Sequence, residues 1–309
     1  MSLASIDKAE LQYIVRVYSD RSLGSYYLYN SSTKALTQLA ELSPWLDANA
    51  LAPMRPVTYQ SRDGLAINGY LTLPKGHTGG PLPVVINPHG GPWARDVWGF
   101  NPEVQFLANR GYAVFQMNFR GSTGYGRKFW ESSFKEWGRS MQNDISDGVK
   151  WLVQQGAANP KKLAIFGGSY GGYAVLAGLA FTPELYACGV DYVGVSNLFT
   201  FMNTIPPYWK PFLAMMHEMV GNPEKDATLL RAASPVFHVS QIRAPLFVAQ
   251  GAKDPRVNIE ESNQIVEALR KRDVKVEYLV KDNEGHGFHN EENRFEFYEK
   301  MEAFLNRCL

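Results

Sequence analysis

The stretch KKLAIFGGSYGGYAVLAGLA, Lys161 to Ala180, constrains the fold more than any other part of the chain. An apolar run enters a glycine-rich segment around one serine and continues at once as an Ala-rich helical pattern. Glycine costs conformational entropy on folding and adds no packing, so glycines at this density in a strand-to-helix junction need a reason. A sharp turn in which the backbone approaches itself supplies that reason. We therefore expect a buried strand, a tight turn and a helix here.

From Pro83 onward, apolar strand patterns alternate with helical ones. The strand patterns are PVVINPH, YAVFQMNF, KLAIFGG, YACGVDYV, APLFVAQG and KVEYLV. Besides the Ala-rich helix, we expect helices near 101–110, 142–155, 260–272 and 291–306, and a helical insertion from about 198 to 220. Near-continuous apolar strands separated by helices predict an α/β fold, with a mostly parallel sheet covered by helices on both faces. Reactive residues in such a sheet lie at the carboxyl ends of the strands.

The first fifty residues have a different pattern. Leu11 to Val17, Ser25 to Tyr29 and Ala35 to Leu39 are typical of short strands, with NSSTK as a turn between the last two. Such a ribbon cannot close a core by itself. The segment ELSPWLDANALAPMRP, rich in prolines and small residues, then suits an irregular connector. We expect residues 1–50 to form a ribbon and connector, and 51–309 to form one large α/β domain.

Charge and hydropathy exclude several classes of function. The 31 basic and 30 acidic residues nearly cancel, and no basic run like those that follow a phosphate backbone occurs. No apolar run approaches the roughly 18 residues that span a bilayer, and the first thirty residues lack a signal-peptide pattern. His77, His217 and His238 have no metal-ligand spacing. We expect no nucleic-acid or membrane partner, no metal, no cofactor and a cytoplasmic location.

The two cysteines are Cys188, in an apolar run, and Cys308, next to the C-terminus. Two cysteines are too few for a disulfide scaffold, and their spacing does not match a metal site. We expect both to be free thiols.

The segment GGSYG, Gly167 to Gly171, matches the G-x-S-x-G nucleophile elbow. In that turn the serine backbone is strained, and small neighbours let the chain approach itself while the serine hydroxyl is held out at the top of the sheet. The five-residue pattern is weak evidence by itself, and a tight structural turn is the alternative interpretation. We expect Ser169 to be the nucleophile, provided that a base and an acid follow in the chain.

A serine hydroxyl needs a base to take its proton and an acid to orient that base. His286 lies between glycines after the strand KVEYLV, and Asp254 follows the strand APLFVAQ. The order Ser169, Asp254, His286 is the chain order of α/β-hydrolases. Two alternatives stay open: Asp254 as a turn residue or helix cap, and His289 as the base.

A tetrahedral intermediate also needs hydrogen-bond donors for its oxyanion. The segment NPHGGPW follows the strand PVVIN, so the backbone N–H groups of Gly91 and Tyr170 are the expected donors. The alternative for the HGGP segment is a plain tight turn. We interpret His89 as structural, hydrogen-bonding the loop, and Arg120 as a brace for a loop near the site.

The chain resembles the catalytic domain of the prolyl oligopeptidase family of serine peptidases, and within it the acylaminoacyl peptidase branch. The matching stretches run from about Pro56 to the C-terminus: RDGLAINGYLTLP, PHGGP, NFRGSTGYG, FGGSYGGY, GNPEKD with a later SP, GAKDPRV and EGHGF. The resemblance implies an α/β-hydrolase fold and hydrolysis of short peptides, N-acylated ones among them, through an acyl-enzyme. Leu11 to Leu39 resembles only the end of a last propeller blade, so the ribbon is expected to be a propeller remnant.

Substrate contacts are less constrained by the sequence. Candidates are Phe199, Phe201, Trp209, Arg256 and Val257, where the aromatic residues could equally pack a core and Arg256 could form a salt bridge at a helix start. Dipeptidyl-peptidase members of the family bind the substrate amino terminus with propeller glutamates, which this chain lacks. A carboxylesterase and a non-catalytic interaction module remain as alternatives to a peptidase.

A homo-oligomer is a further expectation. It rests on an aromatic rim that the loss of a propeller would expose: Trp93, Trp98, Phe100, Tyr125, Phe129 and Trp130.

Overall fold

The computed structural model describes all 309 residues, and its contacts divide the chain into two compact units. Unit 1 comprises Met1–Pro56, Tyr70–Thr78 and Val97–Val114, and unit 2 comprises Val57–Gly69, Gly79–Asp96 and Phe115–Leu309. The sequence predicts two consecutive parts that meet at residue 50. In the structure, each unit instead combines segments from several parts of the chain.

Unit 1 contains a four-stranded antiparallel sheet in the order β1-β2-β3-β4. Its strands are β1 (Ser2–Ile6), β2 (Gln12–Ser19), β3 (Ser22–Asn30) and β4 (Leu36–Glu41). The ribbon expected from the sequence corresponds to β2–β4, and β1 adds a strand that no pattern indicated. Every residue of β1 and β4 is exposed, so this sheet buries little apolar surface in unit 1.

Buried polar side chains organise the rest of unit 1 around helix α1 (Pro102–Asn109), which is capped by the Asn101 side chain. The Gln105 amide accepts a hydrogen bond from Ala52 N–H at 2.9 Å and donates to the carbonyl oxygens of Ala52 and Asp20. The Asp20 carboxylate accepts from Met54 N–H at 2.7 Å. These bonds satisfy backbone groups of the connector that would otherwise be buried without partners.

Unit 2 contains all or most of each strand of an eight-stranded sheet. The strands are β5 (Met54–Gln60), β6 (Ala66–Thr72), β7 (Leu82–Ile86), β8 (Ala113–Asn118), β9 (Ala158–Gly168), β10 (Cys188–Tyr192), β11 (Leu246–Gly251) and β12 (Val276–Lys281). Their order is β12-β11-β10-β9-β7-β8-β6-β5. Each neighbouring pair among β7, β9, β10, β11 and β12 is parallel. The predicted α/β fold is confirmed.

Helices alternate with these strands, as the sequence predicts. They are α2 (Arg127–Glu131), α3 (Ser140–Gln154), α4 (Tyr170–Phe181), α5 (Leu198–Asn203), α6 (Leu213–Met219), α7 (Ala227–Ala233), α8 (Ile259–Arg270) and α9 (Glu291–Cys308), with 3-10 helices at Pro207–Phe212 and Pro235–His238. The Ala-rich helix α4 is buried from Tyr170 to Ala180, which explains its apolar residues on every side. No helix combines the length and the apolar character that crossing a membrane requires.

The prediction of two free thiols is wrong, because Cys188 and Cys308 form a disulfide. Cys188 lies in β10 and Cys308 ends α9, a helix that packs against β10. The two residues are 120 positions apart in the chain. Only the tertiary packing of the last helix brings them together, and the spacing of two cysteines carries no signal of it.

Candidate active site

Four strands of the parallel part of the sheet each lead into one predicted element of the site. Ser169 follows β9 directly, and Asp254 comes three residues after the end of β11. His286 comes five residues after β12, and the segment HGGP follows β7. Parallel strands end at one edge of a sheet, so these four loops are neighbours.

The elbow around Ser169 is built from main chain. Ser169 has a φ of 59°, which is unusual for a residue with a side chain, and its N–H donates to Tyr192 O at 2.9 Å. A Cβ atom on Gly171 would lie 2.3 Å from Pro88 O, and one on Gly167 would lie 2.7 Å from the backbone of Gly171. Only glycine fits at these two positions. The segment is thus a tight turn that also holds a serine side chain at the strand end.

His286 connects the predicted nucleophile and acid. Its Nε2 lies 3.0 Å from Ser169 Oγ, and its Nδ1 lies 2.8 Å from Asp254 Oδ2. A carboxylate only accepts hydrogen bonds, so the imidazole donates through Nδ1–H and Nε2 accepts from the serine hydroxyl. The His286 side chain is 16% exposed, whereas that of Asp254 is fully buried.

The Asp254 carboxylate also organises its own loop. Its Oδ1 accepts from the backbone N–H groups of Arg256 and Val257 at 2.8 and 2.9 Å. It is therefore a turn residue and the partner of His286 at once. His289, the alternative base, is exposed and donates its backbone N–H to Glu284. The structure brings His286 to Ser169, and the catalytic roles themselves stay predictions.

Glu284 fixes the loop that carries His286, and sequence reasoning did not single it out within the motif EGHGF. Its buried carboxylate accepts from the N–H groups of His289 and Asn290 and from the amides of Asn290 and Asn293. Desolvation alone would raise the pKa of Glu284, but these donors outweigh it and lower the pKa to about 2. Its carbonyl oxygen accepts from Lys253 N–H at 2.9 Å. The base loop is thus tied to the acid loop and to the start of α9.

The HGGP loop approaches the nucleophile closely. A Cβ atom on Gly90 would lie 3.1 Å from Gly168 O and 3.5 Å from Ser169 Cβ, so a larger residue would press on the elbow backbone. Gly91 has a φ of 126°, which favours glycine. Tyr170 is the first residue of α4, so its N–H belongs to the helix end that lacks an intrahelical acceptor. The assignment of Gly91 and Tyr170 as oxyanion donors stays a prediction.

His89 holds this loop in place, which confirms its structural interpretation. Its Nδ1 lies 2.7 Å from Gly90 O, its Nε2 lies 2.8 Å from Ser122 Oγ, and its ring stacks on Phe119. Burial lowers the pKa of His89 to about 4, helped by repulsion from Arg95 and opposed by the Gly90 hydrogen bond. The ring is therefore neutral near pH 7.

Arg120 braces the neighbouring loop, as the sequence predicts. Its guanidinium pairs bidentately with Asp144, whose side chain is fully buried, and also contacts Asp63 at 2.8 Å. The backbone N–H of Arg120 donates to the same Asp144 carboxylate. Both ends of the residue are thereby fixed, which holds the loop that supplies Ser122 to His89.

An apolar cavity of about 200 Å³ opens beside Gly91. Its other lining residues are aromatic or methionine: Trp93, Trp137, Phe201, Trp209, Phe212, Met215 and Met216. Phe201 and Trp209 belong to the predicted substrate-binding set, and Trp93 belongs to the expected aromatic rim. The sequence did not single out Trp137, Met215 and Met216. Methionine adapts to ligand shape through its flexible thioether chain.

The remaining members of the substrate-binding set lie outside this lining. Phe199 is half-buried and packs edge-on against Phe237. Both Val257 and Arg256 belong to the acid loop, where Val257 is buried and Arg256 is exposed. Their roles stay predictions.

The residues of the expected aromatic rim differ in exposure. Trp98 is exposed, at 42%, Phe129 is buried against Tyr125, and the other rim residues are half-buried. Trp93 donates its indole N–H to Ser133 Oγ, and Trp130 packs against Phe134. Local aromatic packing, which sequence spacing did not reveal, covers part of this surface, and the homo-oligomer stays a prediction.

A model of the prolyl oligopeptidase family matches residues 98–309. Dipeptidyl aminopeptidase BIII from Pseudoxanthomonas mexicana is 46% identical over 293 residues, which cover 92% of this chain and 42% of that protein. Dipeptidyl peptidase family member 6 from Caenorhabditis elegans is 37% identical over 333 residues, covering 100% of this chain and 45% of that protein.

Among solved structures, a puromycin-hydrolyzing peptidase from Mycobacterium tuberculosis superposes with a TM-score of 0.87 at 26% identity. The match covers 97% of this chain and 46% of that one. This chain therefore spans less than half the length of each of these proteins.

Proposed function

Because the chain belongs to the prolyl oligopeptidase family, we propose that it is a serine hydrolase that cleaves peptide bonds of short peptides through an acyl-enzyme intermediate. The observation that carries the proposal is the chain of hydrogen bonds from Ser169 through His286 to Asp254, at 3.0 and 2.8 Å, on a strained elbow. A nucleophile, a base and an orienting acid within hydrogen-bond reach are the requirement for acyl transfer.

In the proposed reaction, Ser169 Oγ attacks the scissile carbonyl carbon while His286 Nε2 takes the hydroxyl proton. Asp254 keeps the imidazole in the required tautomer and stabilises its charged form. The N–H groups of Gly91 and Tyr170 bind the oxyanion, with each donor typically contributing about 3 kcal/mol to transition-state stabilisation. Collapse breaks the C–N bond, and His286 returns the proton to the leaving amine. Water then repeats the sequence on the acyl-enzyme, releasing the acid and restoring Ser169.

The apolar cavity supports a substrate class. Because Gly91 is both a proposed oxyanion donor and part of the lining, the side chain preceding the scissile bond would enter this cavity. Its lining favours an apolar or aromatic side chain at that position. The names of the relatives suggest release of dipeptides, and the resemblance of the motifs suggests N-acylated peptides, so both substrate types belong in the test.

A direct test compares three substrates on the purified chain: an acyl-phenylalanyl nitroanilide, a dipeptidyl nitroanilide with phenylalanine at the second position, and a nitrophenyl acyl ester. The proposal predicts hydrolysis of at least one nitroanilide, with loss of activity in Ser169→Ala. Cleavage of the ester alone would favour a carboxylesterase, because the same groups cleave esters more readily than amides. Absence of all three activities in a folded protein would favour a non-catalytic interaction module.

A further inference from the structure

Tyr192, the last residue of β10, contacts the chain on both sides of the Ser169–His286 hydrogen bond. Its carbonyl oxygen accepts from the backbone N–H of Ser169 at 2.9 Å. Its hydroxyl accepts from the backbone N–H of Phe288, two residues after His286. One residue thus binds the nucleophile through its main chain and the base loop through its side chain.

The backbone of Tyr192 is held firmly in the sheet. It pairs with Gly168 of β9 and with Ala249 of β11 in the parallel registers. The next residue, Val193, has a φ of 51°, which costs energy for a β-branched residue, and its N–H donates to Ala249 O at 2.9 Å. The carbonyl group that receives the Ser169 N–H is therefore fixed from both neighbouring strands.

The ring of Tyr192 is fixed as well. It stacks on Phe297 of α9 with centroids 4.6 Å apart, and it meets Phe288 edge-on at 5.2 Å. A Cβ atom on Gly287 would lie 3.6 Å from the Tyr192 hydroxyl, so the base loop rests against the phenol. Packing of the ring therefore determines where the hydroxyl meets Phe288 N–H.

Glu284, the other residue that holds the base loop, contacts different segments from those that Tyr192 contacts. Its carboxylate binds His289 and Asn290 at the far end of the loop, and its carbonyl binds Lys253 N–H beside Asp254. Glu284 thus joins the base to the acid, whereas Tyr192 joins the base to the nucleophile.

We propose that Tyr192 is a positioning residue that sets the separation between Ser169 Oγ and His286 Nε2. The inference rests on the proposed function. A misplacement of about 1 Å between reacting groups can cost about 100-fold in rate, so the hydroxyl of Tyr192 acts on catalysis without contacting substrate. Reactive side chains must be held within about 0.5 Å of the productive geometry, and neighbouring residues that do not react supply this restraint.

The test is Tyr192→Phe, which removes the hydroxyl and keeps the ring. We expect kcat to fall by about 10- to 100-fold, with KM within about twofold of wild type. The rate of labelling by a fluorophosphonate should fall by the same factor, because labelling needs the serine–histidine pair and no particular substrate. Tyr278→Phe is the matched control, since the Tyr278 hydroxyl bonds the Asn263 side chain at 2.9 Å, away from the triad, and it should leave both rates unchanged.

Proton NMR separates positioning from a merely structural role. The low-field Nδ1–H signal of His286, assigned by its absence in His286→Ala, should persist in Tyr192→Phe because Glu284 still holds the base to the acid. Loss of that signal together with a raised KM would overturn the proposal in favour of general disruption. Labelling of Tyr192→Phe at the wild-type rate would also overturn it.

Failure of the proposed function is distinguishable from failure of this inference. A carboxylesterase would cleave only the ester and would still label more slowly in Tyr192→Phe, whereas a non-catalytic protein would show no hydrolysis or labelling that depends on Ser169. If Tyr192→Phe lacks a cooperative unfolding transition, a second variant serves as the test. In this variant the α-hydroxy acid analogue of phenylalanine replaces Phe288, so an ester oxygen stands in place of the backbone N–H. This change removes the N–H donor and keeps every side chain. The same loss of labelling rate is expected, and an unchanged rate would contradict the proposal.

Discussion

The nucleophile side and the base side of the candidate site are held in place by different means. The elbow is main chain packed on main chain: a methyl group added at Gly167 or Gly171 would meet backbone atoms at 2.7 or 2.3 Å. The base loop has room at Gly285, where the nearest atom to an added Cβ is 3.9 Å away. The side chains of Glu284 and Tyr192 hold this loop, and its backbone packs closely only against Gly251, where an added Cβ would lie 2.2 Å from Gly285 O. The elbow residues themselves are therefore sensitive to added atoms, whereas the base loop is sensitive to the loss of the groups that hold it.

Replacing one glycine by alanine on each side should give the largest difference in catalytic activity between two variants. Gly171→Ala forces Pro88 O and the elbow apart, and we expect kcat/KM to fall by more than about 100-fold, because the reacting atoms lose their alignment. Gly285→Ala should stay within about threefold of wild type. Steady-state kinetics with circular dichroism on both variants check this, and similar losses in the two would remove the distinction between the sides.

The disulfide is a covalent link between the two sides, since β10 supplies Tyr192 and α9 follows the base loop. Cys308→Ser opens a loop of 120 residues, and we expect the free energy of unfolding to fall by about 2–5 kcal/mol. No hydrogen bond of the triad involves the cysteines, so kcat at 25 °C should stay within about twofold. Urea unfolding with and without reductant measures the effect. An unfolding curve of the wild type that does not respond to reductant would contradict it.

Removing one carboxylate oxygen from the base side should have a smaller effect on catalysis. Glu284→Gln loses one acceptor for the N–H groups of His289 and Asn290, so the end of the loop loosens, and we expect kcat to fall by about tenfold. Glu296→Gln is the matched control, because Glu296 lies on α9, the helix that follows the base loop, and pairs with Lys281 and Lys300. Equal kinetics of the two variants would show that Glu284 does not support the base.

The smallest effect is the pH dependence of stability that Glu284 confers. Its pKa of about 2 in the folded protein lies below the ordinary 4.5, so between these values the unfolded chain binds more protons. Its contribution is therefore complete above about pH 4.5 and declines as pH falls toward 2. The difference in unfolding free energy between wild type and Glu284→Gln should shrink over this range. A difference that is constant from pH 3 to 6 would contradict the assignment.

The sequence predicts the fold of unit 2 and the location of the site residues for one reason. Ser169, Asp254 and His286 each follow an apolar strand, so the local pattern that defines the strand also places the residue at the sheet edge. Gly167 and Gly171 carry a local signal as well, because a close approach of main chain admits no other residue.

Contacts between distant segments carry no such signal. The Cys188–Cys308 bridge and the bond from Phe288 to Tyr192 depend on how α9 and the base loop pack after folding. The burial of Phe129 and the packing of Trp130 against Phe134 likewise come from neighbours that their spacing alone does not reveal. The anchors of the base side were therefore not identified from the sequence, whereas those of the nucleophile side were visible as glycines.

The central claim is that Ser169 is a nucleophile activated by the His286–Asp254 pair. The most direct measurement is intact-protein mass spectrometry after treatment with a fluorophosphonate, followed by peptide mapping. We predict one adduct per chain, on Ser169, and none in Ser169→Ala, which should also lose activity by more than about 1,000-fold. A folded wild-type protein that gains no adduct, an adduct on another residue, or a Ser169→Ala variant that retains more than about a tenth of the activity would contradict the account.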